Sequence, residues 1–329
     1  MNIRRRLIAP AALAAAGALA LSSCSDSASG TTTDDGKLKV TASFYPMQFL
    51  AEEIGGKHAE VSTLTKPGTE PHDLELSPQQ TGELTDAGVI LYLKDMQPAV
   101  DEAIKQADVK NTIEASKFTS LEKHGTEEDG HGHEHEAEGD HAEEEGGHEG
   151  HDHGEEGKDP HVWIDPVRYA QMADGVGKAF AKADPDHADA YKKNAGNLKD
   201  RLHKLDGQFK DGLKNKKTDT FLTTHAAFGY LADRYGLVQE SIKGLDPESE
   251  PSAKRMQELH EVAEHDKVTT VFFETLVSDK TAKTFAADLG LKTDVLDPIE
   301  GITKKSRGQD YISVQEANLK ALQKALGAS

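Results

Sequence analysis

Three histidines stand where separate loops can bring imidazoles together. His72 lies in "GTEPHDLELSP", His161 in "DPHVWIDP" and His225 in "TTHAAFGY". His72 follows a strand-like segment at 59–65, and His225 ends another at 220–225. The carboxyl ends of strands are where α/β folds place ligands. A single histidine at such a place usually makes structural hydrogen bonds. Three from different loops suit Zn²⁺, which takes tetrahedral N, O or S ligation. A carboxylate would complete the shell, and two are placed for it: Glu300 in "LDPIEGIT" and Glu274 in "FFETLVSDK". Spacing alone does not choose between them. A ligating imidazole usually gives its other N–H to a carboxylate or carbonyl. Glu70, Asp73, Asp159 and Asp165 lie near enough in sequence, although Asp165 before Pro166 also reads as a helix cap.

A second group of metal-ligating residues is continuous in sequence. Residues 124–157 hold His124, His131, His133, His135, His141, His148, His151 and His153, together with fourteen Asp or Glu and no Lys or Arg. Ala137 and Ala142 are its only hydrophobic side chains. Such a composition cannot bury enough apolar surface to offset ordering entropy, so a disordered, metal-collecting loop is expected. The tract carries −14 of the formal charge of −20. The remainder is only mildly acidic and has no basic stripe for nucleic acid.

The elements that would position these groups alternate between strand and helix. Strands are expected at 38–44, 59–65, 89–93, 111–115, 220–225, 237–242, 268–274 and 291–297. This alternation implies parallel sheets, with four strands in each of two α/β lobes. Between the lobes, Ala188, Tyr191, Ala195, Leu198, Leu202, Leu205, Phe209 and Leu213 fall on one helical stripe. With Asp184 as cap and Pro185 opening it, this reads as a long helix over 184–213. It is short for a coiled-coil dimer and suits a rigid strut within a monomer.

The first 23 residues resemble a lipoprotein signal peptide. Arg4, Arg5 and Arg6 precede an apolar run at 7–21, and "LSSC" places the only cysteine, Cys24, at a lipidation position. Residues 24–36 read as a flexible tether from a bacterial membrane. The expected divisions are then an N-terminal lobe at 37–165, a helical connection at 166–216 and a C-terminal lobe at 217–329. Enzyme chemistry finds little support. In "HEVAEH", His260 and His265 are five apart rather than the four of HExxH, so they diverge around a helix. No Ser sits in G-x-S-x-G.

Taken together, the four motifs in this order, with a His-rich loop before the second and a long helix after it, resemble the zinc-binding substrate-binding proteins of ABC transporters, the ZnuA-like family. The resemblance implies two Rossmann-like lobes joined by a rigid backbone helix, with the metal in the cleft between them. It implies His72, His161, His225 and Glu300 as ligands and Glu274 as a supporting or alternative acid. Three imidazoles and one carboxylate favour zinc over the manganese bound by other members of this fold. The implied partners are Zn²⁺, a membrane permease with its cytoplasmic ATPase, and the lipid anchor. The alternatives are a protein of the same fold that binds manganese or another divalent metal, and a surface adhesin lipoprotein, a role that some proteins of this fold have.

Overall fold

The computed structural model describes residues 31–85, 87–106, 109, 111–125 and 157–328. Cys24, the leader and seven of the eight tract histidines (131–153) lie outside the described residues. The first sheet is built from β1 (Leu38–Ala42), β2 (Ala59–Thr63), β3 (Val89–Tyr92) and β4 (Thr112–Glu114). Helices α1 (Tyr45–Gly55), α2 (Pro78–Thr85) and α3 (Pro98–Gln106) connect them. Helices α4 (Pro166–Ala183) and α5 (Ala188–Gly212) follow. The second sheet contains β5 (Thr220–Thr223), β6 (Val238–Ser241), β7 (Thr270–Phe273) and β8 (Lys292–Val295). It alternates with α6 (Gly229–Tyr235), α7 (Ala253–His265) and α8 (Lys280–Leu289), and α9 (Tyr311–Leu326) closes the chain.

All eight expected strands are present, each within its predicted segment. Both sheets are wholly parallel, with orders β2-β1-β3-β4 and β6-β5-β7-β8, so the two lobes repeat one topology. Inner strands are covered on both faces, which is why "VILY" and "TFLT" are buried along nearly their whole length rather than on alternate residues. The fold is therefore α/β, with two parallel-sheet lobes and a long helix between them.

That helix spans 25 residues, roughly 37 Å. Its stripe from Tyr191 to Leu213 is buried, against α4, α1 of the first lobe and α9. Gly177 lets α4 approach closely, since a Cβ there would lie 2.6 Å from Ala195 Cβ. The α-helix begins at Ala188, four residues later than its sequence pattern suggests. Pro185–His187 form a 3₁₀ turn instead. The carboxylate of Asp184 takes the Tyr191 hydroxyl and His187 Nδ1, so it makes no side-chain cap to the backbone. Asp165 does cap: its side chain accepts from the Val167 and Arg168 amides at the start of α4.

One core continues from lobe to lobe. Trp163, fully buried, lies edge-on to Phe44 with ring centroids 5.0 Å apart. Its indole N–H donates to the Pro298 carbonyl. Tyr311 and Gln315 of α9 bond to the carbonyls of Trp163 and Ile164. The segment after His161 is thus held by both lobes.

Candidate metal centre

The structure brings His72, His161, His225 and Glu300 to one point, with one ligand atom from each within 4.8 Å of the others. His72 comes from the loop after β2, His161 from the turn before α4, His225 from the loop after β5, and Glu300 from the loop after β8. Glu300 Oε1 lies 3.6 Å from His72 Nε2, 3.3 Å from His161 Nε2 and 3.5 Å from His225 Nε2. The Nε2 atoms of His72 and His161 are 3.2 Å apart. His161, His225 and Glu300 are buried, and His72 keeps 13 % of its side chain exposed. His225 Nε2 and both Glu300 oxygens are buried without a hydrogen-bond partner. Buried polar atoms rarely stay unpaired. An anionic carboxylate facing three imidazole nitrogens is the donor set of a borderline divalent cation such as Zn²⁺.

Supporting carboxylates fix two of the rings. Asp159 Oδ1 is 2.7 Å from His161 Nδ1, and Glu274 Oε1 is 2.6 Å from His225 Nδ1. Each turns Nε2 toward the centre, as a carboxylate behind a metal-binding imidazole does. Of the two candidate acids, Glu274 thus lies behind His225 and outside the four-residue cluster. Glu70 accepts the His72 amide. Asp73 is exposed, and Asp165 is occupied with capping.

Glu300 depends on a turn that the sequence conceals. Ile299, a β-branched residue, has φ of +60°, a conformation that costs energy and concentrates at functional sites. Asp297 restrains this turn. Its carboxylate accepts from the Ile299 amide and the Thr275 hydroxyl, and Asn318 clasps its backbone from both sides. Trp163 holds Pro298. Apart from the Asp297–Ile299 bond, two residues long, these contacts span 21 to 135 positions in sequence, so the local sequence does not announce them.

Protonation reflects the same crowding. Burial alone would lower His161 and His225, but Asp159 and Glu274 outweigh it and raise both, His225 strongly. Burial would raise Glu300, yet the imidazoles hold it well below the ordinary carboxylate range. Asp159 is likewise held at about 2 against its burial, by His161 and His124. Glu70 is pushed up to about 9 by burial and by the Glu300 charge. The centre gathers positive charge onto its ring nitrogens, and a cation would take the place of those protons.

Other histidines have different surroundings. His124 is not merely one of the tract's ligands. It is half-buried, with Nδ1 on Asp159 and Nε2 on Asp233, both at 2.9 Å. Composition grouped it with its neighbours; the long-range contact with α6 sets it apart. His260 packs edge-on to Phe285, and His265 bonds Asp266, so the pair does not converge on a metal.

Residues 40–325 match the family model described as ZnuA, zinc-uptake complex component A, periplasmic. The chain is 36% identical over 293 residues to the zinc-binding lipoprotein AdcA of Streptococcus pneumoniae (strain R6), covering 88% of this chain and 56% of that protein. It thus spans just over half the length of such relatives. It is 34% identical over 316 residues to the high-affinity zinc uptake system protein ZnuA of Bacillus subtilis (strain 168), covering 94% of each. Among solved structures, the Zn(II)-bound ZnuA-like domain of S. pneumoniae AdcA aligns with a TM-score of 0.69 at 33% identity, over 88% of this chain and 99% of that one. A mutant of the laminin-binding adhesin Lmb of Streptococcus agalactiae aligns at 0.73 and 29%, over 88% and 99%. With its match running nearly the length of both lobes, the chain belongs to the ZnuA family of zinc-uptake components.

Proposed function

We propose that this chain is an extracytoplasmic protein that captures Zn²⁺ between its lobes and delivers it to an ABC-transporter permease driven by a cytoplasmic ATPase. The observation that carries the reading is the convergence of His72, His161, His225 and Glu300 with unpaired buried donor atoms. In this reading the three Nε2 atoms and a Glu300 oxygen ligate the ion as substrate. Asp159 and Glu274 keep the ligand lone pairs inward. The ion's charge balances Glu300 and removes the part of Glu70's raised pKa that comes from the Glu300 charge, the larger part being burial. The continuous core through Trp163 and α5 holds the two halves of the site in register. Family membership favours a transport role over an enzymatic one. Cys24 would tether the protein to its membrane through lipid, and the tract would collect ions close to the cleft.

Imidazole-rich ligation favours zinc over manganese. The adhesin reading rests on likeness to laminin-binding proteins such as Lmb; laminin binding that survives loss of all four ligands would support it. Zinc uptake by cells made dependent on this chain tests the transport reading. Uptake should stop with His225→Ala and equally on removal of the permease. Undiminished uptake with His225→Ala would reject it.

A further inference from the structure

A chain of contacts leads from the cleft to the root of the tract. Asp159, fully buried, uses Oδ1 for His161 Nδ1 and Oδ2 for His124 Nδ1. One carboxylate thus stands behind two imidazoles whose Nε2 atoms face away from it. The first faces the metal centre. The second faces Asp233 Oδ2 at 2.9 Å, and Glu122, His124 and Asp233 bring ligand atoms within 4.8 Å of one another.

The His124 ring is built in rather than hanging from the surface. It stands edge-on to Tyr230 with centroids 4.5 Å apart. Gly229 leaves room for it: a Cβ there would come within 2.4 Å of His124 Cγ. The Tyr230 hydroxyl donates to the Asp159 carbonyl and accepts the Glu122 amide, and the Asp159 amide donates to the Glu122 carbonyl. Both roots of the tract are therefore fastened together at this place. His124 keeps 14 % of its side chain exposed, Glu122 45 % and Asp233 60 %, so solvent reaches the ligand side. Asp233 lies between two cavities, of about 340 and 580 Å³.

We infer that Glu122, His124 and Asp233 form a second, weaker divalent-cation site, at which Zn²⁺ leaving the tract pauses before the cleft. The argument is the repetition of one device: Asp159 orients His124 as it orients His161. A carboxylate behind the imidazole and carboxylates before it are the surroundings of a metal-ligating histidine. Zinc there would displace the proton shared by His124 Nε2 and Asp233 and release it to solvent. Weakness follows from Arg168, whose guanidinium grips Glu122 and the Ser120 carbonyl and hydroxyl. Glu122 must share its charge with that cation, and two of the three ligands are open to water. The ion's identity rests on the function proposed above.

The test is calorimetric titration with Zn²⁺ of the full chain carrying glutamine at the seven histidines from His131 to His153. Two binding steps are expected. Asp233→Asn should weaken the second by about tenfold or more and leave the tight step within about threefold, as for independent sites. His124→Gln and Gly229→Ala should also remove the second step, the latter by displacing the ring. His72→Ala should remove the tight step and spare the weak one. A single step in the parent, or a second step unaffected by both Asp233→Asn and His124→Gln, overturns the inference. A tight step that survives His72→Ala while Asp233→Asn removes the weak one would overturn the cleft assignment instead and leave this site standing.

Discussion

The molecule offers metal ions two regions of opposite design. The tract holds eight histidines and fourteen carboxylates within 34 consecutive residues. The cleft holds three histidines and one glutamate drawn from positions 72 to 300. By number of donors the tract wins, and by arrangement the cleft does. Each cleft donor sits at the end of an element whose place is set by a buried core, and two rings are held by carboxylates behind them. The ordering entropy is met by folding, before any ion arrives. The tract's sequence has only two hydrophobic side chains, Ala137 and Ala142, and so little apolar burial to set against the entropy of holding its donors around an ion. Affinity should therefore follow preorganisation, while capacity follows donor count.

Removal of a cleft imidazole should have the largest effect. Zinc at a thousandfold excess over Kd should stabilise the protein by ~4 kcal/mol. Most of that gain should vanish in His161→Ala or His225→Ala, read as the zinc-induced shift in Tm. Stabilisation unchanged in both would place the tight site elsewhere. Glu300→Ala should cost less, because water can take the place of one carboxylate oxygen. If Glu300→Ala does nothing while Glu274→Ala abolishes binding, the acid has been misassigned.

A finer test separates ligands from the groups that aim them. Glu274→Gln keeps the size of the side chain but weakens its hold on His225 Nδ1. Zinc affinity should fall roughly 10–100-fold, less than for His225→Ala. An equal loss in the two variants would mean that Glu274 touches the ion.

Acidity probes the same design. His161 and His225 have raised values in the zinc-free protein because their carboxylate partners outweigh burial. Their protonated pairs stabilise the zinc-free fold fully below the unfolded histidine value of ~6.5. That contribution is lost as pH rises through the raised folded values. Zinc needs the same nitrogens free of protons, so its effect has the opposite sign. The zinc-induced rise in Tm should grow between about pH 5 and pH 8. A flat profile would contradict a histidine-dominated site.

Much of the fold was legible because its signals are local. Short β-branched and apolar segments such as "VILY" and "TFLT" mark buried parallel strands, and the stripe from Tyr191 to Leu213 marks the strut. The four residues that the structure brings together could be picked out as ligand types at the ends of elements. Choosing Glu300 over Glu274 needed the family resemblance, since both follow inner or edge strands of one sheet. The turn that presents Glu300 was hidden, because Ile299 gives no hint of positive φ and its restraints come from Thr275, Asn318 and Trp163. The place of His124 was hidden for the same reason: composition sees its acidic neighbours, not Asp233 on α6.

The tightest ion should sit in the cleft and not on the tract. Calorimetric titration of the full chain with Zn²⁺, beside His225→Ala and a chain with glutamine at the seven histidines from His131 to His153, tests it most directly. The tract variant should bind fewer ions but keep the tightest step within about threefold, and His225→Ala should lose that step. Loss of the tightest step in the tract variant, with its survival in His225→Ala, would contradict it.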